Sequence, residues 1–241
     1  MAFASGFFQH RLVRAALVVG TLGASAVLGA FTAGWTLVCA GGQCPSVDVL
    51  EQYQPRQTSK LYAADGRFLA ELGLERRTVA RLQDFQPLVQ NAFVYTEDKR
   101  FYRHNDIDFI RVFGALARNV RAGGYAQGFS TITMQLARNI FPERLERTKS
   151  MVRKLREGKV ALAIERKYSK QKILELYLNQ IYLGNGAYGV ESAAQRYFGK
   201  NVRELNLPEA ALLAALPKAP NRYNPRVEPD RAVQRRNTVL E

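Results

Sequence analysis

The sequence predicts a mainly α-helical domain with a small N-terminal β-hairpin, held behind a single transmembrane helix. Three observations predict it. No charged residue stands between Arg14 and Asp48. An Asp65-Gly66 pair separates two short runs that hold Leu61, Tyr62, Phe68 and Leu69. From about residue 85 onward, apolar residues recur at the three- and four-residue spacing of helices.

The uncharged run comes first. Its apolar part, roughly residues 15–38, matches the ~20 residues a helix needs to cross a bilayer. Arg11 and Arg14 place residues 1–14 in the cytoplasm as a short tail, and Trp35 suits an interfacial anchor. The rival reading is a cleaved signal peptide, whose apolar region spans about 7–15 residues before a small-residue cleavage site. ASAV and AFTA sit in the middle of the run, and its length favours an uncleaved anchor. Either way, the residues after about 40 lie outside the cytoplasm.

That placement narrows the partner. The chain has 241 residues, with 35 basic against 21 acidic and a formal net charge of +14, which calls for a polyanion. Outside the cytoplasm, nucleic acid is excluded, leaving an anionic membrane surface or a phosphorylated substrate. Cys39 and Cys44 are too few for a disulfide framework. His10 and His104 exclude a His-rich metal cluster, whereas a carboxylate-held divalent ion stays open.

Residues 39–57, rich in Gly, Pro, Gln and Ser, read as a juxtamembrane linker. SKLYAADGRFLAEL then reads as the hairpin, because Asp-Gly is a favoured two-residue turn. Residues 149–182 read as two helices, with Ser169 capping the second, in which Ile173, Leu174, Tyr177, Leu178 and Ile181 share a stripe. LPEAALLAALPKAP reads as a short buried helix that starts at Pro208 and stops at Pro217. The ending RRNTVLE keeps a helical pattern without a stop signal, so the natural chain is expected to continue past residue 241.

Three stretches carry candidate chemistry. In EDKRFYRHNDID, a continuous helix over 97–108 would put Glu97, Phe101, His104 and Asp108 on one side, with Asp98, Lys99 and Tyr102 elsewhere. A carboxylate between apolar Phe101 and the charge of Arg100 suits a general base. The plainer alternative is a solvated helix laced with ion pairs, and this stretch alone favours it. In GFSTITMQLARN, Ser130 or Thr131 caps a helix whose first amides form an anion site, and Gln135 and Arg138 add donors. An ordinary cap above an apolar stripe is the plainer reading there too. In RKLREGKVALAIE, Glu157 stands among Arg153, Lys154, Arg156 and Lys159. It reads as a set of surface pairs or as a carboxylate holding a divalent ion against a phosphate.

Together and in this order, EDKRFYRH, GFSTITMQLARN, RKLREGKVALAIE, KQKILELYLNQIYLGNGAYGVESAAQRYFGK and RRNTVL resemble the five ordered motifs of the peptidoglycan glycosyltransferases. This is glycosyltransferase family 51, found in class A penicillin-binding proteins and monofunctional cell-wall polymerases. The resemblance covers about residues 58–241. It implies a lysozyme-like domain that polymerises lipid II into a growing glycan strand and releases undecaprenyl diphosphate. It implies Glu97 as general base, taking the proton of the acceptor's 4-hydroxyl, and inversion at the donor's anomeric carbon. Glu157 would support the donor diphosphate, through a divalent metal (Mg or Mn) or bound water. Arg153 and Lys154 would bind the same diphosphate. Ser130, Thr131, Gln135 and Arg138 would line the donor site, and Asp98, Phe101 and His104, which complete the first motif, would bind substrate as well. A catalytic domain on the outer, periplasmic side of the bacterial inner membrane follows from the resemblance, as do other cell-wall synthesis proteins as partners. Residues 109–127 would match the family's mobile segment and dip into the bilayer or pack internally.

This sequence departs from the family pattern at Asp106, Phe129 and Met134, and Arg147 is the candidate for an intervening basic residue. Two rivals stand beside the polymerase. A lysozyme-like lytic enzyme would cut glycans, but the cations around Glu157 argue against a neutral substrate. An inactive membrane-anchored scaffold would bind lipid II without turnover.

Overall fold

The apolar N-terminal run folds as one helix, α1 (Phe3–Leu37), whose stretch Val13–Leu37 is long and apolar enough to cross a membrane. The computed structural model describes residues 3–55, 57–73, 75–104, 121, 130–145 and 150–241. Residues 106, 108, 129 and 147 and most of 109–127 lie outside them. The chain divides into two units, Met1–Cys44 and Pro45–Glu241. In the first, Cys39 and Cys44 are joined by a disulfide with Cα atoms 5.0 Å apart.

The second unit is mainly α-helical, with a small hairpin near its start. Strands β1 (Ser59–Tyr62) and β2 (Phe68–Leu72) pair antiparallel, but the turn is one residue longer than the expected Asp-Gly pair: Ala64, Asp65 and Gly66 lie between Ala63 and Arg67, whose amide-to-carbonyl bond is 2.8 Å. The stretch expected to be a linker is partly pinned. Leu50 is buried, Lys167 pairs with Asp48 and Glu51, and the Tyr168 hydroxyl donates to the Val47 carbonyl at 3.0 Å. Composition alone hides this, because one apolar side chain and two acids suffice to fasten a polar segment.

A two-residue strand β3 (Arg76–Arg77) leads to α2 (Pro87–Glu97), which opens on a proline where a helix needs no amide donor. Then come α3 (Ile132–Ile140), α4 (Met151–Lys167) and α5 (Lys170–Gln180). Ser150 caps α4 by accepting the Arg153 amide, and Ser169 caps α5 by accepting the Lys172 amide. The two predicted helices of 149–182 are therefore separate, with the predicted cap between them. Strand β4 (Ala187–Tyr188) runs parallel to β3. Helices α6 (Val190–Phe198), α7 (Leu207–Ala215) and α8 (Pro229–Leu240) complete the described elements.

Helix α3 packs on both α4 and α5, while α7 packs on α2 and α8. Phe93 and Tyr177, both wholly buried, meet edge to face at 6.4 Å between α2 and α5. Each such aromatic removes enough apolar surface to stabilise the fold by about 1.5–3 kcal/mol. Asn179 near the end of α5 grips the segment after β3, accepting the Ala80 amide at 2.9 Å and donating to the Ala80 carbonyl at 2.8 Å. Gly189 (φ 82°) passes so close to α5 that a Cβ there would meet the Asn179 carbonyl oxygen at 2.8 Å. Only glycine fits that crossing.

Candidate active site

Glu97 is the last residue of α2. The backbone leaves the helical region at Asp98 (φ −154°, ψ 74°), and the Phe101 amide turns back to the Asp98 carbonyl at 2.8 Å. The continuous helix expected over 97–108 is thus corrected: α2 ends, and a turn follows. The reason is tertiary. Asp98, expected to point away, is buried, and its Oδ2 accepts the Ile132 amide at the start of α3 (3.3 Å). His104 Nε2 faces the same oxygen at 3.1 Å, so the imidazole partners Asp98. Phe101 is wholly buried.

Glu97 itself stays half-buried, and its Oε2 accepts Gln135 Nε2 at 2.7 Å. The Tyr177 hydroxyl donates to Gln135 Oε1 at 3.4 Å. Burial pushes the Tyr177 phenol well above its ordinary value, and the Glu97 charge adds to that. A neutral phenol on the amide oxygen leaves the amide NH2 for the carboxylate. Sequence reading missed Tyr177 because its spacing fits the apolar stripe of α5.

Glu157 sits among cations. Its side chain is 0% exposed, and it lies 3.3 Å from Arg153 Nη1 and 3.2 Å from Lys154 Nζ on its own helix. Arg138 reaches it from α3 at 3.4 Å. Three cations share one carboxylate, so the cluster keeps positive charge for an anion. The Lys154 ammonium also donates to the Ser130 hydroxyl. Burial holds Lys154 below the ordinary lysine value, while the Glu157 charge and hydrogen bond pull it up. Arg153 Nε is buried with no hydrogen-bond partner among the described residues.

Helix α3 joins the two acids. Gln135 reaches Glu97 and Arg138 reaches Glu157, three residues apart on one helix. Thr131 caps α3 by accepting the Met134 amide at 3.2 Å, which leaves Ser130 to meet Lys154. Met134, one of the departures from the family pattern, is buried.

No three of His, Cys, Asp or Glu cluster among the described residues, so they form no all-protein cage for a divalent ion. At Glu157, one carboxylate stands among three cations, so a Mg or Mn ion there would draw its other oxygen ligands from water and the donor phosphates.

Residues 65–241 match the family described as transglycosylase. The chain belongs to the peptidoglycan glycosyltransferase family. This glycosyltransferase domain contains both acids and the helix between them. It is 53% identical over 196 residues to penicillin-binding protein 1A of Aquifex aeolicus, covering 81% of this chain and 27% of that protein. Identity to penicillin-binding protein 1A of Neisseria gonorrhoeae is 49%, over 81% of this chain and 24% of that protein. The crystal structure of penicillin-binding protein 1A from Haemophilus influenzae matches at 30% identity and a TM-score of 0.43, over 78% of this chain and 18% of that one. The chain therefore spans about a quarter of the length of the curated relatives it matches.

Proposed function

We propose that this glycosyltransferase polymerises lipid II, with Glu97 as the general base and the Glu157 cluster as the seat of the donor diphosphate. The observation that carries the reading is α3, which offers a neutral amide to one acid and a guanidinium to the other. Glu97 takes the proton of the acceptor's 4-hydroxyl. The freed oxygen bonds to the donor's anomeric carbon as the bond from that carbon to the phosphate oxygen breaks. Undecaprenyl diphosphate leaves with the electron pair, and Arg138, Arg153 and Lys154 meet its charge. Fixed cations aimed at a leaving group as it gains charge, in a water-poor site, lower the barrier strongly.

Gln135 keeps Glu97 aimed, and Glu157 keeps the three cations gathered in the absence of substrate. Asp98 and His104 act behind the surface, by tying the end of α2 to α3. Val13–Leu37 anchors the domain in the inner membrane, with Arg11 and Arg14 on the cytoplasmic side and the catalytic domain outside. The Cys39–Cys44 disulfide supports that side, since disulfides persist in oxidising compartments. Lipid II and the growing glycan strand are the two substrates, and other cell-wall synthesis proteins are the expected neighbours.

The test is incubation of the detergent-solubilised chain with labelled lipid II. Long polymer is expected. Absence of polymer beside retained lipid II binding would support a scaffold, and shortening of isolated sacculi would support a lytic enzyme.

A further inference from the structure

A second network runs behind the proposed base and closes on itself. It starts at Thr133 on α3, whose hydroxyl donates to Glu165 Oε1 on α4. Glu165 Oε2 lies 2.7 Å from the ammonium of Lys170, the first residue of α5. Lys170 Nζ lies 3.4 Å from His104 Nδ1. His104 Nε2 lies 3.1 Å from Asp98 Oδ2, and that oxygen accepts the Ile132 amide. The path leaves α3 at residue 133 and returns to it at residue 132, clasping α4, α5 and the end of α2 on the way.

Its members are largely shielded from solvent: the side chains of Asp98, Glu165, His104 and Lys170 are 0, 2, 9 and 16% exposed. The lysine ammonium also sits 4.4 Å from the centre of the Phe101 ring. A cation in the first turn of a helix opposes the helix dipole, so local helix stability does not explain Lys170. Its partners do.

We propose that Lys170 is a positioning residue that locks His104 in the Nε2–H tautomer, and so fixes the Asp98 carboxylate that ties Glu97 to α3. An ammonium group has three donors and no acceptor. The ring nitrogen facing it must therefore accept, which leaves Nδ1 without a proton. The remaining ring proton sits on Nε2, aimed at Asp98. In the other tautomer, the Nε2 lone pair would face the Asp98 carboxylate, and the clasp would open. Glu97 precedes Asp98 by one residue and Gln135 follows Ile132 by three, so the clasp sets the 2.7 Å bond between them. Among the described residues, Asp98, Lys170 and the Phe101 ring, 6.3 Å away, are the groups that face His104.

The tautomer stands on geometry alone, whereas its kinetic consequence rests on Glu97 acting as the base. The test uses the full chain in detergent, labelled with 15N-histidine. Its two histidines are His10 and His104, so His10→Gln assigns the signals. At neutral pH, Nδ1 of His104 should resonate as an unprotonated nitrogen and Nε2 as a protonated one. Lys170→Met should lose that signature, while Lys170→Arg, also a pure donor, should keep it. Lipid II polymerisation should follow the spectra: kcat falls about tenfold or more in Lys170→Met, with donor KM within about twofold, and recovers in Lys170→Arg.

A proton on Nδ1 in the wild-type protein would overturn the proposal, and so would wild-type nitrogen signals in Lys170→Met. Should that variant fail to fold by circular dichroism, the wild-type spectrum still decides. Expected nitrogen signals in a wild-type protein that makes no polymer would sink the polymerase reading and leave the tautomer lock standing.

Discussion

Glu97 meets a neutral amide, whereas Glu157 meets two guanidinium groups and an ammonium. Glu97 is half-buried at a helix end, and Glu157 is sealed in mid-helix. A half-buried carboxylate at a helix end can be reached by a substrate hydroxyl. A carboxylate sealed among three cations serves as their counter-ion. The same side chain thus acquires two roles from its neighbours, and α3 supplies a neighbour to each.

Removing the counter-ion should be the larger shock to the fold. Glu157→Gln leaves three cations gathered without their acid, and breaking a buried charge cluster costs about 3–5 kcal/mol. Chemical denaturation of that variant should show a loss of this size, while Glu97→Gln should stay within about 1 kcal/mol of wild type. Equal losses in the two variants would erase the contrast.

A smaller effect sharpens the Glu97 side. Tyr177→Phe frees the Gln135 amide to rotate, and kcat should fall about three- to tenfold. An unchanged kcat would show that Tyr177 only fills space.

The Glu157 side has its own pH signature. Burial holds Lys154 below the ordinary lysine value of 10.5. A lysine with a lowered value loses its charge at a lower pH than a free one, so donor affinity should weaken on the alkaline side beginning below 10.5. Lys154→Arg keeps the charge and should remove that limb from the profile of donor KM against pH. The smallest effect is expected at the disulfide, which lies in the other unit. Replacing Cys39 and Cys44 with serine should change polymerisation in detergent by no more than about twofold, because so short a closed loop constrains little.

Much of this arrangement is legible in the chain. The hairpin at Asp65-Gly66, the Ser169 cap and the split of 149–182 into two helices follow from turn chemistry and periodicity, which are local. The cluster on Glu157 is legible in part, since Arg153 and Lys154 stand at helical spacing from it. The turn after Glu97 is not. Its cause is the Ile132 amide, 34 residues away, which draws Asp98 inward. The parallel pairing of Arg76–Arg77 with Ala187–Tyr188 is hidden for the same reason. Tyr177 and Lys170 look like stripe and surface residues until the packing of α5 on α3 gives them partners.

The most direct test separates binding from chemistry at Glu97. In Glu97→Gln, labelled lipid II should still bind with wild-type affinity, while its polymerisation falls about 10²–10⁴-fold, the loss expected for a general base. Polymer formation by Glu97→Gln at the wild-type rate, or a loss that lies wholly in lipid II affinity, would contradict the division of labour between the two acids.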